Sequence, residues 1–256
     1  MSDRALPIAL AIGDPNGIGP EIAVKAAALL AGEPGRAPVL VGDLEVVRAY
    51  AERHAAELPL HDAGASRAVR AGAVNVHPVD ALRLGAFRPG TVSAAAGAAT
   101  IAYVEAAVGL VRRGAAAAVV ACPHSETAVN AAGIPFSGYP SLLARIAGVA
   151  PDRIFLMLVG GDLRIVHATL HERLRDALDR LSDALVEAAA LAAARALAGF
   201  GIRRPRIGIM AINPHAGEGG LFGDDDDRVT APAAASLRRA GIDVVGPLGA
   251  DTLLAR

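Results

Sequence analysis

Residues 7–32 read PIALAIGDPNGIGPEIAVKAAALLAG. The apolar run Pro7–Ile12 reads as a strand, GDPNGIGPE as a Gly/Pro loop and PEIAVKAAALLAG as a helix with an apolar stripe. That strand–loop–helix unit recurs along the chain. APVLVG is a second strand, followed by the helical DLEVVRAYAERHAAEL. TVSAAAGAATIAYVEAAVGLVRRG is a helix of roughly five turns that stops at Gly114. AAAVVAC is a strand. RIFLMLVG and LRIVHATL form a hairpin about GGD, and a long helix is expected from Leu174 to Leu197. PRIGIMAI is a strand, TAPAAASLRRAG a helix with Thr230 as N-cap and Gly241 as its stop, and IDVVGP the last strand. Alternating strands and helices with one internal hairpin predict an α/β protein with a mostly parallel sheet.

The totals bound the function. A chain of 256 residues with net charge −1 holds one large or two small domains and carries no basic half for nucleic acid and no charged patch for a membrane surface. Cys122 is the sole cysteine, so no internal disulfide framework exists, which suits a reducing cytoplasm. MSDRALPIALAIGDPNG lacks the basic start and apolar core of a signal peptide, and charge interrupts the apolar stretches before they reach membrane-spanning length. Alanine is abundant and Lys25 is the only lysine, a compositional bias that weakens arguments from alanine-rich helices.

In parallel sheets ligands bind beyond the carboxyl ends of strands. GDPNGIGPE (13–21), CPHSETAVNAAGIPFSGYPS (122–141) and NPHAGEGG (213–220) occupy that position, and His171 follows another strand. This places Gly13, Asp14 and Gly17 at a cleft. The first loop resembles a glycine-rich phosphate grip but also suits a tight strand-to-helix turn with Pro20 at the helix start. His171 and His215 either converge on a divalent cation or bond separately to backbone. Strand alternation puts His167 on the same sheet face as His171, in an ordinary structural role. Asp224–Asp227 reads as a solvated acidic loop before a helix rather than a cation site. His54, His61 and His77 fall in charged or loop segments.

AIGDPNGIGPEIAVKA, AGIPFSGYPSLL, LRIVHATLHERLRDAL, INPHAGEGG and GPLGADTLL, in this order across nearly the whole chain, resemble the 4-hydroxythreonine-4-phosphate dehydrogenase family. The resemblance implies two α/β/α domains similar to isocitrate and isopropylmalate dehydrogenases, with the active site in a cleft and at a homodimer interface. The implied domains are residues 1–125 and 126–256. It implies that His171 and His215 ligate a divalent metal (zinc first, then magnesium, cobalt or manganese) and that Asp251 is a catalytic carboxylate. Asn213 and Glu218 are candidates to hold His215 in place, and Asp14 to bind substrate. Family members continue past GADTLL with a third metal histidine and most of the NAD or NADP site, so the cofactor contacts are expected beyond Arg256.

Phosphate-using members carry His-Thr after AGIPF-G and a lysine in the preceding loop. Tyr139, Pro140 and Glu126 stand at those positions, which removes donors and adds a carboxylate where a phosphate dianion needs charge-assisted bonds. ACPHSETA, FSGYPSLLA and RIVHATLHE instead resemble the terephthalate cis-dihydrodiol dehydrogenases, which oxidise a cyclic diol dicarboxylate with loss of carbon dioxide. The expected activity is therefore NAD- and metal-dependent oxidation and decarboxylation of such a diol. The alternatives are 4-hydroxythreonine-4-phosphate oxidation and, from another class, a non-catalytic metal- or ligand-binding remnant.

Overall fold

β1 (Ile8–Ala11) lies at the heart of a parallel sheet and is buried but for its first residue, as its unbroken apolar run requires. The computed structural model describes residues 6–33, 35–66, 68–83 and 85–255. α1 (Gly19–Leu30) follows β1, with Pro20 in its first turn where no N–H is needed. Then come β2 (Val39–Gly42), α2 (Leu44–His54), β3 (Leu60–Asp62), α3 (Ala63–Ser66) and β4 (Val74–Pro78). α4 (Ala94–Arg112) is capped by Ser93, whose hydroxyl accepts the Ala96 amide at 3.2 Å. β5 (Ala118–Ala121) and α5 (Glu126–Ala131) complete this part. The strand order is β3-β4-β2-β1-β5, every pair parallel. Ile12, Leu40, Val41, Val76 and Tyr103 are sealed in its core. Among the described residues α4 alone is long and apolar enough to cross a membrane, but it packs against β1, β2 and β5 as a core helix.

β3 and β4 have no counterpart in the sequence expectations, and His61 and His77, placed in loops there, lie on them. VNVHP carries two polar residues. Asn75 is fully buried because its side chain accepts the Arg70 amide at 2.8 Å and donates to the Arg70 and Ala73 carbonyls. Asp43 plays a similar part after β2. Its carboxylate accepts the Ala81 and Leu82 amides at 3.2 and 3.1 Å and the Tyr103 hydroxyl, tying the 79–92 connection to the core.

The chain forms two compact units, Met1–Phe136 and Ser137–Arg256. The expected division at 125/126 falls at the start of α5, which packs on α4 inside the first unit. The second unit begins with α6 (Tyr139–Ala147), ended by Gly148 in the left-handed region. β6 (Met157–Gly160) and β7 (Leu163–Val166) pair antiparallel about Gly161-Asp162. The expected helix 174–197 is two helices, α7 (Leu174–Arg180) and α8 (Asp183–Gly199). Leu181 and Ser182 are extended between them, and the Ser182 hydroxyl accepts the Leu185 amide at 3.3 Å. The cap competes successfully with helix continuation.

β8 (Arg206–Met210) pairs parallel with β9 (Asp243–Leu248). α9 (Ala231–Arg239) ends near Gly241, and α10 (Ala250–Leu254) lies against β8 and β9. Thr230 precedes α9 but makes no capping bond, because its hydroxyl donates to Asp226. Ala193, Leu197, Ile207, Ile209, Leu237 and Val244 form the second core.

Candidate functional site

Because β1 and β5 are parallel neighbours, the loops that leave their carboxyl ends meet in the first unit. The Asp14 amide donates to the Pro123 carbonyl at 3.0 Å. A Cβ on Gly13 would lie 2.2 Å from that same oxygen, so only glycine permits the approach. Asn16 ties this turn to 88–93: its side-chain oxygen accepts the Arg88 amide and its carbonyl the Gly90 amide, both at 2.7 Å. The amides of Asp14, Asn16 and Gly17 already bond to Pro123 and Asp14. These three amides are therefore occupied as in a tight strand-to-helix turn and are not free for a phosphate.

Asp14 is only 5% exposed, and burial holds its carboxyl above the usual range, opposed by the Asn16 and Gly17 amides and by His124. Glu126 is exposed at the start of α5, 4.0 Å from His124 Nε2. Cys122 is buried, and desolvation pushes its thiol up to about 11, so it stays protonated at neutral pH.

The second unit carries both candidate metal ligands. Four non-glycine residues among those described adopt left-handed backbone: His171, His215, Ala216 and Glu218. Each costs about 1–2 kcal/mol in an L-residue, and such strain gathers where function over-determines the chain. His171 Nδ1 lies 3.0 Å from the Ser137 carbonyl oxygen. A carbonyl only accepts, so Nδ1 carries the proton and Nε2 keeps its lone pair, the tautomer a metal needs. The backbone bond of the ordinary reading and the orientation of a ligand are here the same bond.

His167 follows β7 rather than lying within it, and the chain bends at 168–169, so strand alternation does not relate it to His171. Both nevertheless line one cavity of about 130 Å³ with Ser137, Pro140 and Arg180, and His167 Nδ1 is sealed there without a partner.

His215 is exposed and opens a left-handed turn spanning 215–219, its ring 6.2 Å from that of Phe222. Asn213 donates its side-chain amide to Asp225 at 2.8 Å, and Glu218 is exposed within the left-handed turn. Asp251 is exposed in the first turn of α10, with no hydrogen bond to its carboxylate among the described residues. Tyr139 and Pro140 are half-buried and form the first turn of α6.

Sequence reasoning missed Asp226. Asp224 and Asp227 are solvated as expected, but Asp226 is 2% exposed. Its carboxylate accepts the Ile212 and Asn213 amides, both at 2.9 Å, and the Thr230 hydroxyl at 2.6 Å. The available signal was Thr230 four residues on, which was assigned to the helix cap instead. Among the described residues no group of three or more His, Cys, Asp or Glu gathers as a metal site. The donors present, two imidazoles with fixed backbone, fit a divalent transition metal in kind and supply part of its usual set of four ligands.

The profile of the pyridoxal phosphate biosynthetic protein PdxA matches residues 35–256. The chain belongs to the PdxA family. It is 43% identical to the 1,2-dihydroxy-3,5-cyclohexadiene-1,4-dicarboxylate dehydrogenase of Comamonas sp. over 97% of its own length and 75% of that relative's. The terephthalate 1,2-cis-dihydrodiol dehydrogenase structure from Burkholderia xenovorans LB400 is 52% identical and superposes with a TM-score of 0.69, over 99% of this chain and 76% of that one. The 4-hydroxythreonine-4-phosphate dehydrogenase structure from Klebsiella pneumoniae is 33% identical with a TM-score of 0.87, over 100% of this chain and 77% of that one. These PdxA-family relatives are dehydrogenases, and their α/β fold with a parallel sheet is the one found here. The chain spans about three quarters of their length.

Proposed function

We propose that this PdxA-family chain oxidises a cyclic cis-dihydrodiol dicarboxylate of the terephthalate type and promotes loss of carbon dioxide from the product. The observation that carries the substrate class is the first turn of α6. Tyr139 and Pro140 stand there, and proline offers no N–H to an anion at the helix end. Across the chain the identity is 43% and 52% to two dihydrodiol dehydrogenases, against 41% and 33% to the 4-hydroxythreonine-4-phosphate dehydrogenases of Methylorubrum populi and Klebsiella pneumoniae.

His171 and His215 would hold the divalent metal, zinc before cobalt, manganese or magnesium. When bound, that metal would supply Lewis acidity at the substrate hydroxyl and neighbouring carboxylate, and a nicotinamide cofactor, NAD or NADP, would supply the hydride acceptor. The Ser137 carbonyl holds the His171 ring by its Nδ1, and the left-handed turn sets the backbone from which His215 projects. Asp251, unpaired among the described residues, would accept the hydroxyl proton as the carbon loses hydride. The β-keto acid so formed releases carbon dioxide, and the diene-diol becomes aromatic. Tyr139 offers a flat face and a hydroxyl to the ring. We further propose a homodimer, as the resemblance implies, which sedimentation of the active protein tests.

The reading is tested by replacing Tyr139-Pro140 with His-Thr and Glu126 with Lys. Turnover should shift from diol dicarboxylate toward phosphate ester, and an unchanged preference would contradict it. The TM-score of 0.87 to the Klebsiella enzyme favours a second reading, oxidation of 4-hydroxythreonine 4-phosphate, with Asp251 and the two histidines in the same roles.

A further inference from the structure

The chain reaches His215 by an improbable path. β8 ends at Met210, Pro214 is followed by five successive left-handed residues, and the turn itself is exposed at His215, Glu218, Gly219 and Gly220. Among the described residues no side chain of the turn makes a hydrogen bond to the core. The anchors lie at its base. Asp226 accepts the two amides just before Pro214, one on each carboxylate oxygen, and Thr230 donates to the oxygen that takes Ile212. Asp225 takes the Asn213 side chain. Asp226 is buried and thirteen residues beyond Asn213, so this is a tertiary clamp rather than a local turn.

We propose that Asp226, backed by Thr230, is a positioning residue that fixes Ile212–Asn213 so the following left-handed turn presents His215 ready for a divalent cation. The inference rests on the reading of His215 as a metal ligand. The chemistry favours a carboxylate at this position. Two backbone N–H groups point at one side chain, and only a carboxylate accepts at both oxygens. Asn at 226 fills the same volume but turns an NH₂ donor toward one of those amides. The base of the turn then loses one bond and gains a donor–donor contact.

The test compares Asp226→Asn, His215→Ala and, as an exposed control, Asp224→Asn in the full chain. Amide exchange over 212–219 and over α9 is read alongside Co²⁺ affinity measured by direct titration. Asp226→Asn should speed exchange at 212–219 at least tenfold, leave 231–239 unchanged and weaken Co²⁺ binding at least tenfold. Asp224→Asn should change neither. Unchanged exchange at 212–219 overturns the proposal, as does an equal rise through α9, which would mark a general structural role. Faster local exchange with intact Co²⁺ affinity, where His215→Ala abolishes binding, also overturns it. If His215→Ala binds Co²⁺ as the parent does, the metal reading fails by itself, and the exchange pattern still decides whether Asp226 orders the turn.

Discussion

His171 Nδ1 meets the Ser137 carbonyl oxygen at 3.0 Å, and a Cβ on the next residue, Gly138, would lie 2.6 Å from that nitrogen. The main chain of 137–138 is therefore the wall against which the imidazole rests. Gly138 also has φ +110, a conformation that disfavours any side chain. Gly138→Ala should lose about 1–3 kcal/mol of stability and displace His171. Urea unfolding and metal content of the purified variant check this. Parental stability with parental metal content would mean that the ring does not depend on this wall.

His215 is exposed, so its replacement should spare the fold. His215→Ala should abolish turnover with a stability change within about 0.5 kcal/mol. The left-handed backbone adds a finer expectation: His215→Gly should be no less stable than His215→Ala, because glycine relieves strain that alanine retains. Melting curves for the two variants, with turnover measured in parallel, test both statements. Retained turnover in His215→Ala would remove this residue from the site.

Asp14 gives the first unit a pH signature. Its folded pKa is raised above the ordinary 3.8 by burial, so the native state holds that proton more tightly than the unfolded chain does. The contribution of Asp14 to stability therefore falls as pH rises from 3.8 through the raised value, and it is most favourable below 3.8. Asn keeps the oxygen that accepts the Asn16 amide. Asp14→Asn should thus gain stability relative to the parent as pH climbs through that window. Denaturant midpoints of both proteins at a series of pH values from 3 to 7 measure it, and a difference independent of pH would contradict the burial account.

Strong local chemistry was legible in the sequence. PIALAI and APVLVG became strands because their apolar runs are buried in the parallel sheet, PRIGIMAI and IDVVGP became a parallel pair that buries Ile207, Ile209 and Val244, and GGD turned the hairpin. VNVHP stayed hidden because Asn75 and His77 break the apolar run, and only the folded loop 70–73 satisfies Asn75. DRLSDAL hid a helix break because the pattern 174–197 stays helical on either side of the Ser182 cap. His171 and His215 were legible as candidates from their places after strands, while the metal role came from the family resemblance. The clamp at Asp226 depends on bonds between residues 13 or 14 apart, and the seat of His171 on one between residues 34 apart, which no local pattern records.

The Ser182 break supplies an independent check on the second unit. Ser182→Ala removes the acceptor for the Leu185 amide and should cost about 1 kcal/mol, or merge α7 and α8 with a gain in helicity. Circular dichroism with thermal unfolding distinguishes these results from a neutral substitution, which would mean that the cap does not hold the break.

Substrate class separates the two readings of this chain. A phosphate dianion needs several charge-assisted hydrogen bonds, each contributing about 1.5–3 kcal/mol. Under the proposed reading, Tyr139, Pro140 and Glu126 would withhold two donors and add a negative charge. The decisive measurement is kcat/KM of the purified protein, with metal and NAD supplied, for the cyclic cis-dihydrodiol dicarboxylate and for 4-hydroxythreonine 4-phosphate. The diol dicarboxylate should be preferred by at least about a hundredfold; equal or faster turnover of the phosphate ester would overturn the proposed substrate class.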